Sequence, residues 1–144
     1  MKIAIASDHG GYELKEIIKD KFVDKYDWLD LGTDSAESTD YPEFGHAMAK
    51  AITSGEVVMG VLVCGTGVGI SIAANRHQGV RAAVCTNTTM ARLAREHNDA
   101  NVLALGSRIT GVEVALECVD TFLTGSFEQG GRHSRRVEKI DNIA

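Results

Sequence analysis

Residues 64–69 place a thiol directly before three alternating glycines, in the order Cys-Gly-Thr-Gly-Val-Gly. Glycines at this spacing leave backbone N–H groups uncovered, and the helix predicted from Val68 adds the positive end of its dipole. We therefore interpret this segment, called the nest below, as a site for an anion or a developing oxyanion. A thiol at a helix N-terminus is favoured as its thiolate, so Cys64 is a candidate base or nucleophile. The alternative is a buried free cysteine that acts as a small apolar side chain.

A second polar turn, Ser7-Asp8-His9-Gly10-Gly11, follows the first predicted strand and brings a carboxylate and an imidazole together. In a parallel α/β sheet, ligands bind outside the carboxyl ends of the strands, so this turn and the nest both lie where a site is expected. The nest is not a dinucleotide fingerprint, because that pattern needs GxGxxG spacing and follows the first strand.

Basic residues cluster after Gly130-Gly131, in an otherwise acidic chain. Arg132 and Arg136 are four residues apart, so on a helix they share one face and can bind a single phosphate with their forked guanidinium groups. The alternative is a solvated tail in which Arg132, His133, Arg135 and Arg136 form surface ion pairs.

Weaker signals come from two further segments. His97 and Asn98 end the helix predicted after the fourth strand, where a histidine is ordinarily a solvated helix end. Tyr41 precedes the only proline, Pro42, which is expected to open a helix, and its phenol could hydrogen-bond a ligand.

Short apolar runs rich in β-branched residues alternate along the chain with stretches of helical periodicity. This alternation predicts βαβ units around a parallel sheet, in one domain spanning residues 1–144. The run 57–64 has no polar alternation, which is typical of a central strand covered on both faces. The five predicted strands are 2–6, 28–31, 57–64, 80–85 and 102–105. The predicted helices cover 14–22, 44–52, 68–75, 88–97, 112–123 and 132–143.

Composition excludes several classes of protein. Fifteen Lys and Arg against twenty Asp and Glu give a net charge of -5, which argues against a nucleic acid or a membrane surface as the main partner. No apolar run of about 18 residues is present, and the N-terminus lacks a signal-peptide pattern, so we expect a cytoplasmic location. Three widely spaced cysteines predict free thiols, with Cys85 and Cys118 in the core. The histidines lack metal-ligand spacing, so no metal is expected.

Six segments in order along nearly the whole chain resemble the type B ribose-5-phosphate isomerase family. They are Ser7-Asp8-His9-Gly10-Gly11, Thr39-Asp40-Tyr41-Pro42, the nest, Ile72-Ala73-Ala74-Asn75, His97-Asn98-Asp99-Ala100-Asn101-Val102 and Gly130-Gly131-Arg132-His133. The resemblance implies a three-layer αβα sandwich with a Rossmann-like five-stranded parallel sheet. It also implies a homodimer or a pair of dimers whose active sites are shared between subunits, and no metal or organic cofactor. The reaction implied interconverts ribose 5-phosphate and ribulose 5-phosphate through a cis-enediolate.

The resemblance also assigns roles to residues. Cys64 would move the proton between C2 and C1, and Thr66 would help stabilise the enediolate oxygen together with Gly65, Gly67 and Gly69. His97 would open the furanose ring, and Asp8 would orient the sugar hydroxyls. Some relatives use a glutamate one position after the last glycine of the nest; Ile70 stands there here, which fits the cysteine-based subgroup. The expected substrate-binding residues are Tyr41 and Asn98 for the sugar and His9, Arg108, Arg132 and Arg136 for the phosphate, with His133 as a further candidate.

Two other classes of function stay open from the sequence. Isomerases of galactose 6-phosphate and allose 6-phosphate resemble the same pattern, so a hexose phosphate is the nearest alternative substrate. A regulatory module that binds a phosphosugar without chemistry would keep the phosphate-binding residues but would not need Cys64. A flavodoxin-like carrier is disfavoured, because the strand-end turns hold ionisable groups rather than aromatic planes. The preferred sugar, the choice of dimer or tetramer and the strand order are left undecided.

Overall fold

The computed structural model describes residues 1–143, which form a five-stranded sheet with six α-helices. The strands are β1 (Lys2–Ser7), β2 (Asp27–Asp30), β3 (Gly60–Cys64), β4 (Ala82–Val84) and β5 (Val102–Gly106). The helices are α1 (Tyr12–Lys21), α2 (Tyr41–Thr53), α3 (Val68–Asn75), α4 (Thr88–Asn98), α5 (Val112–Thr124) and α6 (Arg132–Asp141), and a short 3-10 turn (His9–Gly11) precedes α1.

All paired strands of the sheet are parallel, in the order β2-β1-β3-β5-β4. The central strand is β3, all five residues of which are buried, as the unbroken apolar run predicts. Two apolar cores cover the sheet. One includes Leu14, Ala91 and Phe122 from α1, α4 and α5, and the other includes Met48 and Ile70 from α2 and α3. The predicted three-layer αβα sandwich is therefore confirmed.

Several predicted boundaries are wrong. The central strand begins at Gly60 rather than at residue 57, because pairing with β1 and β5 starts there and Val58 is 72% exposed. Strand β4 is three residues long rather than six, since it is the sheet edge and pairs with β5 alone. Tyr41 is the first residue of α2 rather than a loop residue before it. Apolar periodicity overestimates an element wherever a strand partner or a helix contact is missing.

The last helix, α6, packs against α4 and leaves much of its apolar stripe uncovered. It ends at Asp141, short of the predicted residue 143. Val137 is buried, whereas Ile140 is 52% exposed and Ile143 is 86% exposed. An ion pair of 3.1 Å between Arg81 and Asp141 holds its C-terminal end. Within one chain, this helix therefore lies on the surface instead of completing a core.

A buried ion pair fastens α1 to the end of β2. The Lys15 Nζ, whose side chain is 1% exposed, donates to both carboxylate oxygens of Asp30 at 2.7 Å. Burial alone raises the pKa of Asp30, but hydrogen bonds from Lys15 and Lys19 outweigh it and hold that pKa below its ordinary value. The charged pair thus braces the β1–β2 side of the sheet.

Candidate active site

The nest begins where the central strand ends, with the thiol of Cys64 facing its main-chain donors. Cys64 is the last residue of β3 and is 4% exposed, and the Gly67 N–H donates to its Sγ at 3.1 Å. Helix α3 starts at Val68, so the sulfur lies beside a helix N-terminus. The sulfur therefore has a main-chain donor in contact and the positive end of the α3 dipole nearby. The predicted strand, thiol and helix therefore follow one another as the sequence analysis expects.

Two glycines of the nest are required by their surroundings. Gly67 has a φ of +80°, and a Cβ there would lie 2.9 Å from the carbonyl carbon of Leu105. A Cβ on Gly69 would lie 2.5 Å from the ring of Tyr41. The first glycine allows the left-handed turn, and the second lets an exposed phenol lie against the nest. Tyr41, a predicted sugar-binding residue, thus stands at this site.

The polar turn after β1 lies against the nest. Asp8 is 7% exposed, and its Oδ1 accepts a hydrogen bond of 3.1 Å from the Gly11 N–H. A Cβ on Gly10 would lie 3.4 Å from this oxygen and 3.6 Å from the nitrogen of Gly65. A largely buried carboxylate and the nest therefore lie together at the end of the sheet where the strands finish, which is called the carboxyl edge below.

His9 is oriented by a segment far away in the sequence. Its ring Nδ1 accepts a hydrogen bond of 3.1 Å from the Thr39 N–H, and the main-chain N–H of His9 donates to the Thr39 Oγ1 at 3.0 Å. Because Nδ1 is an acceptor, the neutral ring carries its proton on Nε2, which is left to donate to a ligand. Thr39 was part of a recognised segment in the sequence, but nothing in the sequence indicated this pairing.

The turn after β5 supports both other turns, a role that sequence reasoning missed. The Ser107 Oγ donates to the Gly10 carbonyl at 2.7 Å, and the Ser107 N–H donates to the Cys64 carbonyl at 2.9 Å. The Arg108 N–H donates to the Gly65 carbonyl at 2.9 Å, and its side chain lies over this glycine, 3.6 Å from an added Cβ. The position of this turn, directly after a predicted strand, was the signal available. Arg108, a predicted phosphate contact, thus supplies a cation at the nest.

The remaining predicted residues lie at the opposite end of the sheet, where the strands begin, which is called the amino edge below. Helix α4 starts beyond the carboxyl end of β4 and returns to the start of β5, so His97 and Asn98 lie near the amino edge. Arg132 begins α6 and lines a cavity of about 520 Å³ with His97 and His133. A five-residue strand spans roughly 16 Å, so one chain holds the two halves of the predicted site well apart. Arg136 follows on the next turn of α6, on the face that Arg132 shares.

His133 stacks on His97. The ring centroids are 4.2 Å apart and the planes differ by 10°. The pKa of His133 lies below its ordinary value because desolvation and the nearby positive groups disfavour its charged form. One face of its ring therefore lies against His97, and a phosphate contact by His133 stays a prediction.

The other histidines also pair. The Nδ1 of His46 lies 2.7 Å from the Nε2 of His77, with the rings edge to face. Within residues 1–143, no group of three or more His, Cys, Asp or Glu side chains could hold a metal ion.

Every helix in this range is too short or too polar to span a lipid bilayer. The two other cysteines are buried, and burial raises the pKa of Cys85 to about 12.

Comparisons with known proteins agree on one family. The model of the family described as ribose/galactose isomerase matches residues 3–140. Ribose-5-phosphate isomerase B of Escherichia coli is 50% identical over 143 residues, which cover 99% of this chain and 95% of that protein. The solved structure of the Clostridium thermocellum ribose-5-phosphate isomerase B is 58% identical, with a TM-score of 0.96 over 99% of this chain and 97% of that chain. The Thermotoga maritima structure is 52% identical, with a TM-score of 0.94 over 99% and 98% of the two chains. This chain is therefore an isomerase that belongs to the ribose/galactose isomerase family.

Proposed function

We propose that this chain interconverts D-ribose 5-phosphate and D-ribulose 5-phosphate through a cis-enediolate, with Cys64 as the base. The observation that carries the proposal is the 3.1 Å hydrogen bond from the Gly67 N–H to the Cys64 sulfur, inside the nest and close to the carboxylate of Asp8. The names of the relatives support the pentose phosphate as substrate.

In the proposed proton transfer, the Cys64 thiolate takes the proton from C2 of the open-chain aldose and returns it to C1. The hydroxyl proton moves from O2 to O1 in the same interconversion, so the sulfur ends the cycle as it began. Asp8 orients the two hydroxyls, since its carboxylate faces the nest from the neighbouring turn. A positioned base of this kind contributes about 10²- to 10⁴-fold to the rate.

The nest stabilises the oxygen that becomes negative in the enediolate. The Thr66 Oγ1 accepts a hydrogen bond of 3.2 Å from the Val68 N–H, which leaves its own O–H free to donate. Main-chain N–H groups of Gly65 and Gly69 add fixed donors, while that of Gly67 is held by the Cys64 sulfur. Because these dipoles are in place before the charge develops, they stabilise the transition state without reorganisation.

The phosphate and the sugar ring need residues from both edges of the sheet. His9 and Arg108 lie at the nest, whereas Arg132 and Arg136 lie beside His97 at the amino edge. A second copy, related by a two-fold axis, would bring its His97, Asn98 and arginines to the nest of the first and complete two sites at once. The exposed apolar side chains of Val68 and Ile72 next to the nest, and of Ile140 on α6, support such a contact. Asn98 and Tyr41 then bind the sugar hydroxyls.

Proton NMR in deuterated water tests the reaction. With ribose 5-phosphate we expect ribulose 5-phosphate to form with deuterium at the reacting carbon. Turnover of allose 6-phosphate or galactose 6-phosphate in its place would assign a hexose substrate instead. Binding of ribose 5-phosphate without conversion or exchange would leave a non-catalytic phosphosugar module.

A second experiment tests the role of His97. Ribulose 5-phosphate is open-chain, because its 5-hydroxyl carries the phosphate, so exchange at its C1 needs no ring opening. In His97→Asn we expect consumption of the cyclic aldose to fall about 10²-fold while C1 exchange of the ketose continues. Loss of both rates to the same extent would remove His97 from the ring-opening step.

Mixing two inactive variants tests the shared site. Cys64→Ser and His97→Asn, unfolded and refolded together in equal amounts, should recover about a quarter of wild-type activity, because half of the dimers are mixed and each has one intact site. Refolding of each variant alone is the control. No recovery in the mixture, from protein that forms dimers, would place the complete site within one chain.

A further inference from the structure

We infer that His133 is a positioning residue for His97: it fixes the plane of the ring that opens the cyclic sugar. This inference rests on the proposed role of His97 in ring opening. The observation behind it is the parallel stack of the two imidazoles, with centroids 4.2 Å apart and planes 10° from parallel.

The stack covers one face of the His97 ring and leaves its edge free. Both ring nitrogens exchange protons in the plane of the ring, so a second ring stacked on the face does not obstruct proton transfer. Rotation of the ring about its side-chain bonds would lose the stack. For a group that must meet the ring oxygen of a sugar, holding this orientation raises the fraction of productive encounters.

His97 and His9 are oriented in different ways. A ring nitrogen of His9 is used by the Thr39 N–H, whereas the contact between His97 and His133 is made through ring faces. A residue that only donates to a ligand needs one free nitrogen, but a ring-opening residue must take up a proton and release it. Orientation through the face leaves both nitrogens of His97 available for that exchange.

The location of His133 also favours an uncharged imidazole ring. It is the second residue of α6, where the positive end of the helix dipole opposes an imidazolium, and Arg132 and Arg136 lie close by. The lowered pKa of His133 agrees with this placement. A neutral His133 ring adds no positive charge next to His97 when the His97 ring takes up a proton.

Four proteins test the inference: the wild type, His133→Ala, His133→Phe and the neighbouring control Ser134→Ala. In His133→Ala we expect kcat for the cyclic aldose to fall roughly tenfold with little change in KM, while C1 exchange of the open-chain ketose is unchanged. His133→Phe restores a flat ring without an ionisable nitrogen, so it should recover most of the lost rate. Ser134→Ala should match the wild type.

Carbon-bound ring protons of His97 provide a readout that does not depend on activity. Protons over a stacked ring are shielded, so their NMR signals should move downfield in His133→Ala and stay near the wild-type position in His133→Phe. An unchanged aldose rate in His133→Ala, a rise in KM alone, a phenylalanine variant as slow as the alanine variant, or His97 signals that do not move would each overturn the inference. If the wild type consumes no aldose, the proposed function fails, while the NMR shifts still decide whether the stack orients His97.

Discussion

The two halves of the candidate site, at opposite edges of one sheet, are built in different ways. The first half consists of the nest and the turns after β1 and β5, which are joined by hydrogen bonds. Its Cys64 thiol and Asp8 carboxylate are 4% and 7% exposed. The cluster of His97, His133 and Arg132 lies on the surface, where one ring stack and the contact of α6 with α4 hold it. The proposed proton-transfer group is therefore fixed by the core, whereas the groups expected to reach the ring oxygen and the phosphate stand on an exposed helix pair.

Replacing the thiol of Cys64 should give the largest effect. In Cys64→Ser we expect a loss of kcat of about 10²- to 10⁴-fold, because a hydroxyl is a poor base at neutral pH. The matched control is Cys118→Ala, a buried thiol on α5 away from the nest. Steady-state kinetics and circular dichroism of both variants decide the matter. Near wild-type turnover in the serine variant would remove Cys64 from proton transfer.

Adding one methyl group to each half compares their rigidity. Gly67→Ala should lower the free energy of unfolding by about 2 kcal/mol or more, because Gly67 has a φ of +80° and its new Cβ would meet the Leu105 backbone. Gly131→Ala, before α6, has open space around the added atom and should change stability by less than about 0.5 kcal/mol. Urea denaturation measures both. Equal losses would mean that the two halves are equally tightly packed.

The two ion pairs that brace the halves should respond differently to removal. Asp30→Asn leaves the buried Lys15 ammonium with only the Glu16 carboxylate, 3.5 Å away, and should cost about 2 kcal/mol, below the value for a fully buried pair because Asp30 is 29% exposed. Asp141→Asn removes a partly exposed carboxylate that pairs with Arg81 and should cost less than about 1 kcal/mol.

This difference should depend on pH. Since the pKa of Asp30 is lowered in the folded state, its contribution is present above about pH 4 and is lost as the pH falls through the folded-state value. Denaturation of the wild type and Asp30→Asn from pH 7 to pH 3 should show their stabilities converging in acid. A constant difference over this range would contradict the assignment.

The kinetic effect of losing a phosphate contact should be smaller than that of losing the thiol. Arg136→Ala should raise KM for ribose 5-phosphate about tenfold with kcat nearly unchanged, because one charge-assisted contact is lost in both the ground state and the transition state. Arg135→Ala is the control, since it is the adjacent arginine of α6 and does not share the face of Arg132 and Arg136. An equal rise in KM for both variants would indicate general electrostatic attraction rather than a specific contact.

The nest and the alternation of strands and helices follow from local sequence alone. A thiol, three glycines and a helix start lie within six consecutive residues, so their geometry is set by local backbone conformations that residue types control. The apolar run before them likewise specified a central strand, although its first three residues do not pair. The segments that resemble known isomerases added the expected reaction and the roles of individual side chains.

Which distant segments meet depends on how the whole chain packs. Because β5 lies between β3 and β4, Ser107 and Arg108 are placed against the nest, and no local pattern encodes that strand order. The return of α4 to the amino edge separates His97 from Cys64, and the packing of α6 on α4 stacks His133 on His97. Local sequence fixes turns and periodicity, whereas contacts between remote residues depend on how whole elements pack to bury their apolar faces.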